Sequence, residues 1–110
     1  MSRSYSRHAR LTLLAAALLS VATTGSALAA DAVHGEQLAR RWCAACHVVA
    51  DDQKQGGDSV PTFSAIAHKP GYDAVGIAKF LRNPHAKMPD MQLSSIEAGD
   101  LAAYIVSLAK

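Results

Sequence analysis

Two cysteines and a histidine stand within five consecutive residues, in the order Cys43-Ala44-Ala45-Cys46-His47. Each thiol can add to a vinyl group, and the two intervening residues let both sulfurs reach the two vinyls on one edge of a haem from a single helical turn. His47 is then held below the ring plane, where an imidazole nitrogen can ligate the iron from the proximal side. The spacing therefore predicts one covalently attached haem c, with Cys43 and Cys46 as attachment points and His47 as an axial ligand.

Three other uses of this cysteine and histidine group fit the sequence less well. A zinc finger needs a second ligand pair, and the later histidines, His68 and His85, lie too far apart for its spacing. A thioredoxin-like dithiol follows a strand, whereas the residues before Cys43 have a helical pattern. A disulfide across two residues would be strained and would leave His47 without a role.

The first part of the chain has the features of a secretory signal peptide. Three arginines, at positions 3, 7 and 10, precede a weakly polar to apolar run from Leu11 to Ala22. This run of about twelve residues is short for a membrane span, which needs about twenty. Small residues at Ala27-Leu28-Ala29 suit a cleavage site. We therefore expect a signal peptide over residues 1–29, cleaved near Ala29 or Ala30, with an uncleaved anchor as the alternative.

The charge balance changes when this leader is set aside. The whole chain has 11 basic and 9 acidic side chains and a net charge of +2, but three of the arginines belong to the leader. Residues 30–110 therefore carry 8 basic and 9 acidic side chains, a net charge of −1. No basic stripe with interleaved aromatic residues is present, so a nucleic-acid partner is not expected. About 80 residues make one small domain, which a haem in its middle would help to stabilise.

The remaining chain has helical periodicity and no strand pattern, which predicts an all-α domain. A first helix is expected from about Val33 into the cysteine motif, capped by Asp31, with Leu38 and Trp42 on one face. The segment from Asp51 to Ser59 has no periodicity and is expected to be a loop. Later helical segments are predicted at 61–67 and at 73–82, the second with Val75, Ile77 and Leu81 among its apolar residues. The last helix is predicted from a capping box at Ser94–Glu97 to about Leu108. Its apolar stripe consists of Ile96, Leu101, Tyr104, Ile105 and Leu108.

This order of elements resembles that of the class I c-type cytochromes. From about Asp31 to Lys110 the chain has a helix, the Cys43–His47 motif, a loop with a proline, further helices, the pair Met88-Pro89 and a closing helix, in that order. The resemblance implies the cytochrome c fold, with three main helices and short turns wrapped around one covalently bound haem. It also implies that the backbone carbonyl of Pro61 accepts a hydrogen bond from His47, and that Gly35 lets the closing helix approach near Leu101 and Tyr104.

A low-spin haem iron needs a sixth ligand, and three side chains on the loop before the last helix are candidates. A thioether is a soft, neutral donor that raises the reduction potential relative to a second imidazole. We choose Met88 because Pro89 follows it, as a proline usually follows the distal methionine in the class I family. Met91 is expected to be a packing residue, and ligation by His85 would give a bis-histidine centre of lower potential.

The leader predicts export, to the periplasm if the source is a Gram-negative bacterium, as the form of the leader suggests. The resemblance implies a small, soluble electron carrier, which is not an enzyme. It would transfer single electrons between a donor and an acceptor redox protein, with no small-molecule substrate and no nucleic acid. One alternative is a haem subunit bound permanently to a catalytic subunit of a larger periplasmic oxidoreductase. Another is a haem sensor or enzyme with an open distal site, which requires that Met88 does not ligate the iron.

Overall fold

The computed structural model describes residues 29–84 and 87–110, and these residues form four α-helices and no strand. The helices are α1 (Ala32–Trp42), α2 (Phe63–Ala67), α3 (Ala74–Leu81) and α4 (Ser95–Ser107). The all-α class predicted from the sequence is thereby confirmed. Residues 1–28 of the expected signal peptide, and the candidate ligand His85, lie outside the described residues.

Each helix begins at a side chain that caps its free amide groups. The carboxylate of Asp31 accepts hydrogen bonds from the first amides of α1, and Asp73 does the same at α3. Thr62 caps α2 through its hydroxyl oxygen. At α4 the hydroxyl of Ser94 and the carboxylate of Glu97 form the reciprocal capping box. These local signals place the helix starts within about one or two residues of the predicted ones.

Helix α4 is the centre of the fold, because α1, α2 and α3 all pack against it. Within the described residues no other pair of helices is in contact. Leu101 and Ile105 of α4 are 1% and 2% exposed, and α1 supplies Leu38 and Ala39 to the same core. Burying a leucine or isoleucine side chain contributes roughly 1.5–3 kcal/mol. The apolar face of α4 therefore organises the hydrophobic core.

The contact between α1 and α4 depends on the absence of a side chain at Gly35. A Cβ atom there would overlap the backbone carbonyl of Asp100 and would lie 2.9 Å from the Cβ of Tyr104. Real Cβ atoms essentially never come that close to another carbon. The glycine thus permits backbone contact between the two helices, as the resemblance implied.

A buried carboxylate joins the start of α1 to α4. Asp100 accepts a hydrogen bond from the backbone amide of Asp31 at 2.7 Å and lies 2.7 Å from Nδ1 of His34. The hydrogen bond with Asp100 raises the pKa of His34, and the bonds from His34 and Asp31 lower the pKa of Asp100. Both shifts favour the charged pair, which fastens the first helix to the last.

Three apolar residues named in the predicted helices are exposed. Ile96 is 66% exposed, because it lies nine residues, or about two and a half turns, before the buried Ile105 and so faces the other way. Val75 is 78% exposed on the outer side of α3. Trp42 is 44% exposed, with the guanidinium carbon of Arg41 5.0 Å from its ring centroid. The apolar stripe predicted for α4 was therefore too wide at Ile96.

Candidate haem site

The cysteine motif forms a further turn directly after α1. The carbonyl oxygen of Cys43 accepts hydrogen bonds from the amides of Cys46 at 3.1 Å and of His47 at 2.9 Å. Cys43 is buried, Cys46 is exposed, and neither forms a disulfide. Burial, and to a lesser extent the neighbouring Cys46, raises the pKa of the Cys43 thiol to about 11. Before haem is attached, the thiol of Cys43 is therefore protonated at neutral pH.

The imidazole of His47 is held on two sides. Its Nδ1 lies 2.6 Å from the carbonyl oxygen of Pro61, and because a carbonyl only accepts, Nδ1 is the donor. The ring centroid lies 5.4 Å from that of Phe63, which in turn lies 6.4 Å from that of Tyr104. Nε2 has no hydrogen-bond partner among the described residues. The nitrogen with the free lone pair is therefore the one available to a metal.

A glutamine that the sequence did not single out holds the backbone of the motif. Oε1 of Gln53 accepts from the amide of Val49 at 3.0 Å. Its Nε2 lies 3.0 Å from the carbonyl oxygen of Ala44, 2.8 Å from that of His47 and 2.7 Å from that of Gln55. Gln53 stands in the segment 51–59 that the sequence marked only as a loop, and nothing in its local pattern indicates this role.

Three further hydrogen bonds fix the chain immediately after the second cysteine. The amide of Gly57 donates to the carbonyl of Cys46 at 2.6 Å, and the amide of Phe63 donates to that of Val48 at 3.0 Å. The hydroxyl of Tyr104 on α4 donates to the buried carbonyl of Val49 at 2.7 Å. The site is therefore tied to the loop that follows it and to the last helix.

The loop between α3 and α4 carries the predicted sixth ligand. Met88 is half-buried and packs against the core cluster of apolar side chains. Farther along, Gln92 has a positive φ of 52°, and its amide donates to the carboxylate of Asp90 at 2.8 Å. Met91 is also half-buried. The loop thus turns back towards α4 with both methionine side chains partly covered.

These residues fit a covalently bound haem. The group requires two thiols on one turn, an imidazole nitrogen with a free lone pair and a fixed ring, and a largely apolar surround. The turn at Cys43–Cys46 and the orientation of His47 meet the first two requirements. Phe63 supplies apolar surface beside the imidazole, and Tyr104 beside Phe63 belongs to the same hydrophobic core. Among the described residues there is no cluster of three or more histidine, cysteine or acidic side chains that suits another metal site.

The fold and the site together define a small c-type cytochrome with one haem. The family model described as "Cytochrome C oxidase, cbb3-type, subunit III" matches residues 30–105, and the chain belongs to this family. The chain is also 48% identical over 101 residues to a cytochrome c-552 of Bradyrhizobium diazoefficiens, an alignment that covers 92% of this chain and 97% of that protein. No solved structure matches the chain.

Membership of this family settles the general function. The chain is a monohaem cytochrome that carries one covalently bound haem c and transfers electrons with redox partners, and it is an electron carrier, not an enzyme. None of the helices in the described parts of the chain is both long and apolar enough to cross a bilayer.

Proposed function

We propose that the chain is an exported carrier of single electrons, with haem c attached through Cys43 and Cys46 and its iron ligated by His47 and Met88. The hydrogen bond between Nδ1 of His47 and the carbonyl of Pro61 is the observation that carries this proposal. It sets the tautomer that a proximal ligand needs, with the lone pair on Nε2. A haem supplies the redox chemistry, because its iron accepts and releases one electron.

Two features support Met88 as the second axial ligand. It stands on the loop before α4, directly followed by Pro89, and its half-buried side chain packs against the core. His47 and Met88 would hold the iron of a bound haem through an imidazole and a thioether, and this ligand set would be the same in both oxidation states. A fixed ligand set of this kind would keep the reorganisation cost of electron transfer low.

The sequence of the leader supports export to the periplasm. The arginines of the first ten residues, the apolar run and Ala27-Leu28-Ala29 have the order of a signal peptide. Ala29 and Ala30 are exposed and lie before the helix that begins at Ala32. The mass of the protein purified from periplasm tests this point: a mass that includes residues 1–29 would contradict cleavage.

Absorption spectra of the oxidised and reduced protein test the ligand set. We expect a sharp reduced α-band and, in the oxidised protein, the near-infrared band of sulfur-to-iron charge transfer. In Met88→Ala the covalent haem should remain and the near-infrared band should vanish, whereas the matched variant Met91→Ala should keep it. Loss of the band in Met91→Ala alone would assign ligation to Met91. Absence of the band in the unchanged protein would favour His85 or an open site.

A second candidate is a haem subunit held permanently in a larger oxidoreductase. The description of the matching family, which names a subunit of an oxidase, favours it. Val75 and Ile96, exposed on α3 and α4, provide apolar surface that a permanent partner would cover. Sedimentation of the protein purified from its native periplasm distinguishes the two: a free monomer supports the carrier, and a stable larger complex supports the subunit.

A further inference from the structure

We propose that Gln53 is the positioning residue of the proximal side, acting on the iron through the backbone of His47. This inference rests on the proposed ligation by His47. The carboxamide of Gln53 forms hydrogen bonds with four backbone groups, three carbonyl oxygens and one amide, at distances between 2.7 and 3.0 Å. Two of those carbonyls belong to Ala44 and His47, within the attachment motif.

Within the described residues, the backbone carbonyls that accept hydrogen bonds from Gln53 accept none from a helix. After α1 ends at Trp42, only Cys43 has its carbonyl bonded within the turn itself. The carbonyls of Ala44 and His47 belong to half-buried residues, and their hydrogen bonds come from the Gln53 side chain. Leaving such groups unpaired is costly, so Gln53 determines which path the chain follows through the motif.

Hydrogen bonds hold His47, the proposed proximal ligand, both at its backbone and at its ring. The backbone carbonyl of His47 is bonded to Gln53, and its ring nitrogen is bonded to Pro61. The loop containing Gln53 returns to the motif at Gly57, whose amide donates to Cys46. A Cβ on Gly56 would lie 3.0 Å from the amide nitrogen of Val48, so this loop packs closely on the motif backbone. Movement of the carboxamide therefore moves the backbone from which the imidazole projects.

Two substitutions separate the donor and acceptor roles of the side chain. Gln53→Ala removes all four hydrogen bonds. Gln53→Glu keeps an acceptor for the amide of Val49 but replaces the donor nitrogen with an oxygen that faces three carbonyl oxygens. Gln37→Ala is the matched control, because Gln37 is exposed on α1 and its side chain makes no hydrogen bond with the described residues.

The test is proton NMR of the oxidised haem-containing proteins. In both Gln53 variants we expect the hyperfine-shifted ring signals of His47 to move, because the orientation of the imidazole changes. The amide of Val49 should exchange with solvent at least about tenfold faster in Gln53→Ala, and less so in Gln53→Glu. Gln37→Ala should change neither. A lower melting temperature with unmoved His47 signals would overturn the proposal, since Gln53 would then only stabilise the fold.

The unchanged protein provides a test if the Gln53 variants do not accumulate. The side-chain NH₂ protons of Gln53 should exchange at least about tenfold more slowly than those of Gln37. Equal exchange rates would overturn the proposal. Failure of the proposed function gives a different result: the protein would lack covalent haem in a pyridine haemochromogen assay, whatever the exchange rate of Gln53.

Discussion

Replacing Gly35 with alanine should separate the first and last helices. The added Cβ would overlap the Asp100 carbonyl and lie 2.9 Å from the Cβ of Tyr104, against about 3.5–4.0 Å for an ordinary carbon contact. The helices must therefore move apart by about 1 Å, which forfeits roughly a quarter to a half of the dispersion attraction at the contact. Buried side chains at this contact, such as Leu101, each contribute roughly 1.5–3 kcal/mol. Losing that fraction of the attraction over several such side chains should cost roughly 3 kcal/mol of folding stability.

Alanine also favours helix over glycine by about 1 kcal/mol, so the net loss should be roughly 2 kcal/mol. For a domain of this size that corresponds to a fall of about 10 °C in melting temperature, measured by circular dichroism of the haem-containing protein. Gly99→Ala is the control, because a Cβ at Gly99 on α4 meets nothing within 4 Å. It should gain up to about 1 kcal/mol. The reasoning fails if both variants shift the melting temperature in the same direction.

Three more outcomes follow from the hydrogen bonds of α4. The pKa of His34 is raised above 6.5 and that of Asp100 is lowered below 3.8, so between these two pH values the charged pair contributes fully to the stability of the fold. This contribution is lost as the pH rises through the raised pKa of His34. The melting temperature of His34→Gln should thus differ from that of the unchanged protein most at about pH 5 and least at about pH 9; a constant difference would contradict the pairing. Tyr104→Phe, which leaves the buried carbonyl of Val49 unpaired, should cost about 1–2 kcal/mol in urea unfolding, and an unchanged midpoint would show that the bond is dispensable. Ser94→Ala should cost about 1 kcal/mol in the same assay, and no loss would mean that the capping box contributes nothing.

The local parts of the structure were predictable because their signals are local. Asp31, Asp73 and Ser94 each stand next to the helix that they cap, so a short stretch of sequence contains the whole cause of the helix start. The cysteine motif is similar, because a turn of helix determines the relation between its side chains. The hydrogen bond between His47 and Pro61 spans 14 residues, and the family resemblance indicated it in advance.

Other features depend on which segments meet in three dimensions. His34 and Asp100 are 66 residues apart, and no pattern near either residue indicates a partner. Gln53 acts through its side chain on carbonyls whose direction is known only once the loop is folded. The exposure of Ile96 was missed for a simpler reason: helical phase at 3.6 residues per turn puts it opposite Ile105, so counting apolar residues alone made the stripe too broad.

The central place of α4 has a consequence for the order of assembly. The three earlier helices contact α4 and, within the described residues, not one another, so no helix pair can form while α4 is missing. Because a chain is made from its N-terminus, Cys43 and Cys46 emerge more than 40 residues before the closing helix. During that interval the contacts from α4 are missing, and Tyr104 has not yet bonded the carbonyl of Val49. Cys43, which is buried in the core of the complete fold, therefore lacks the part of that core that α4 supplies until the last segment arrives.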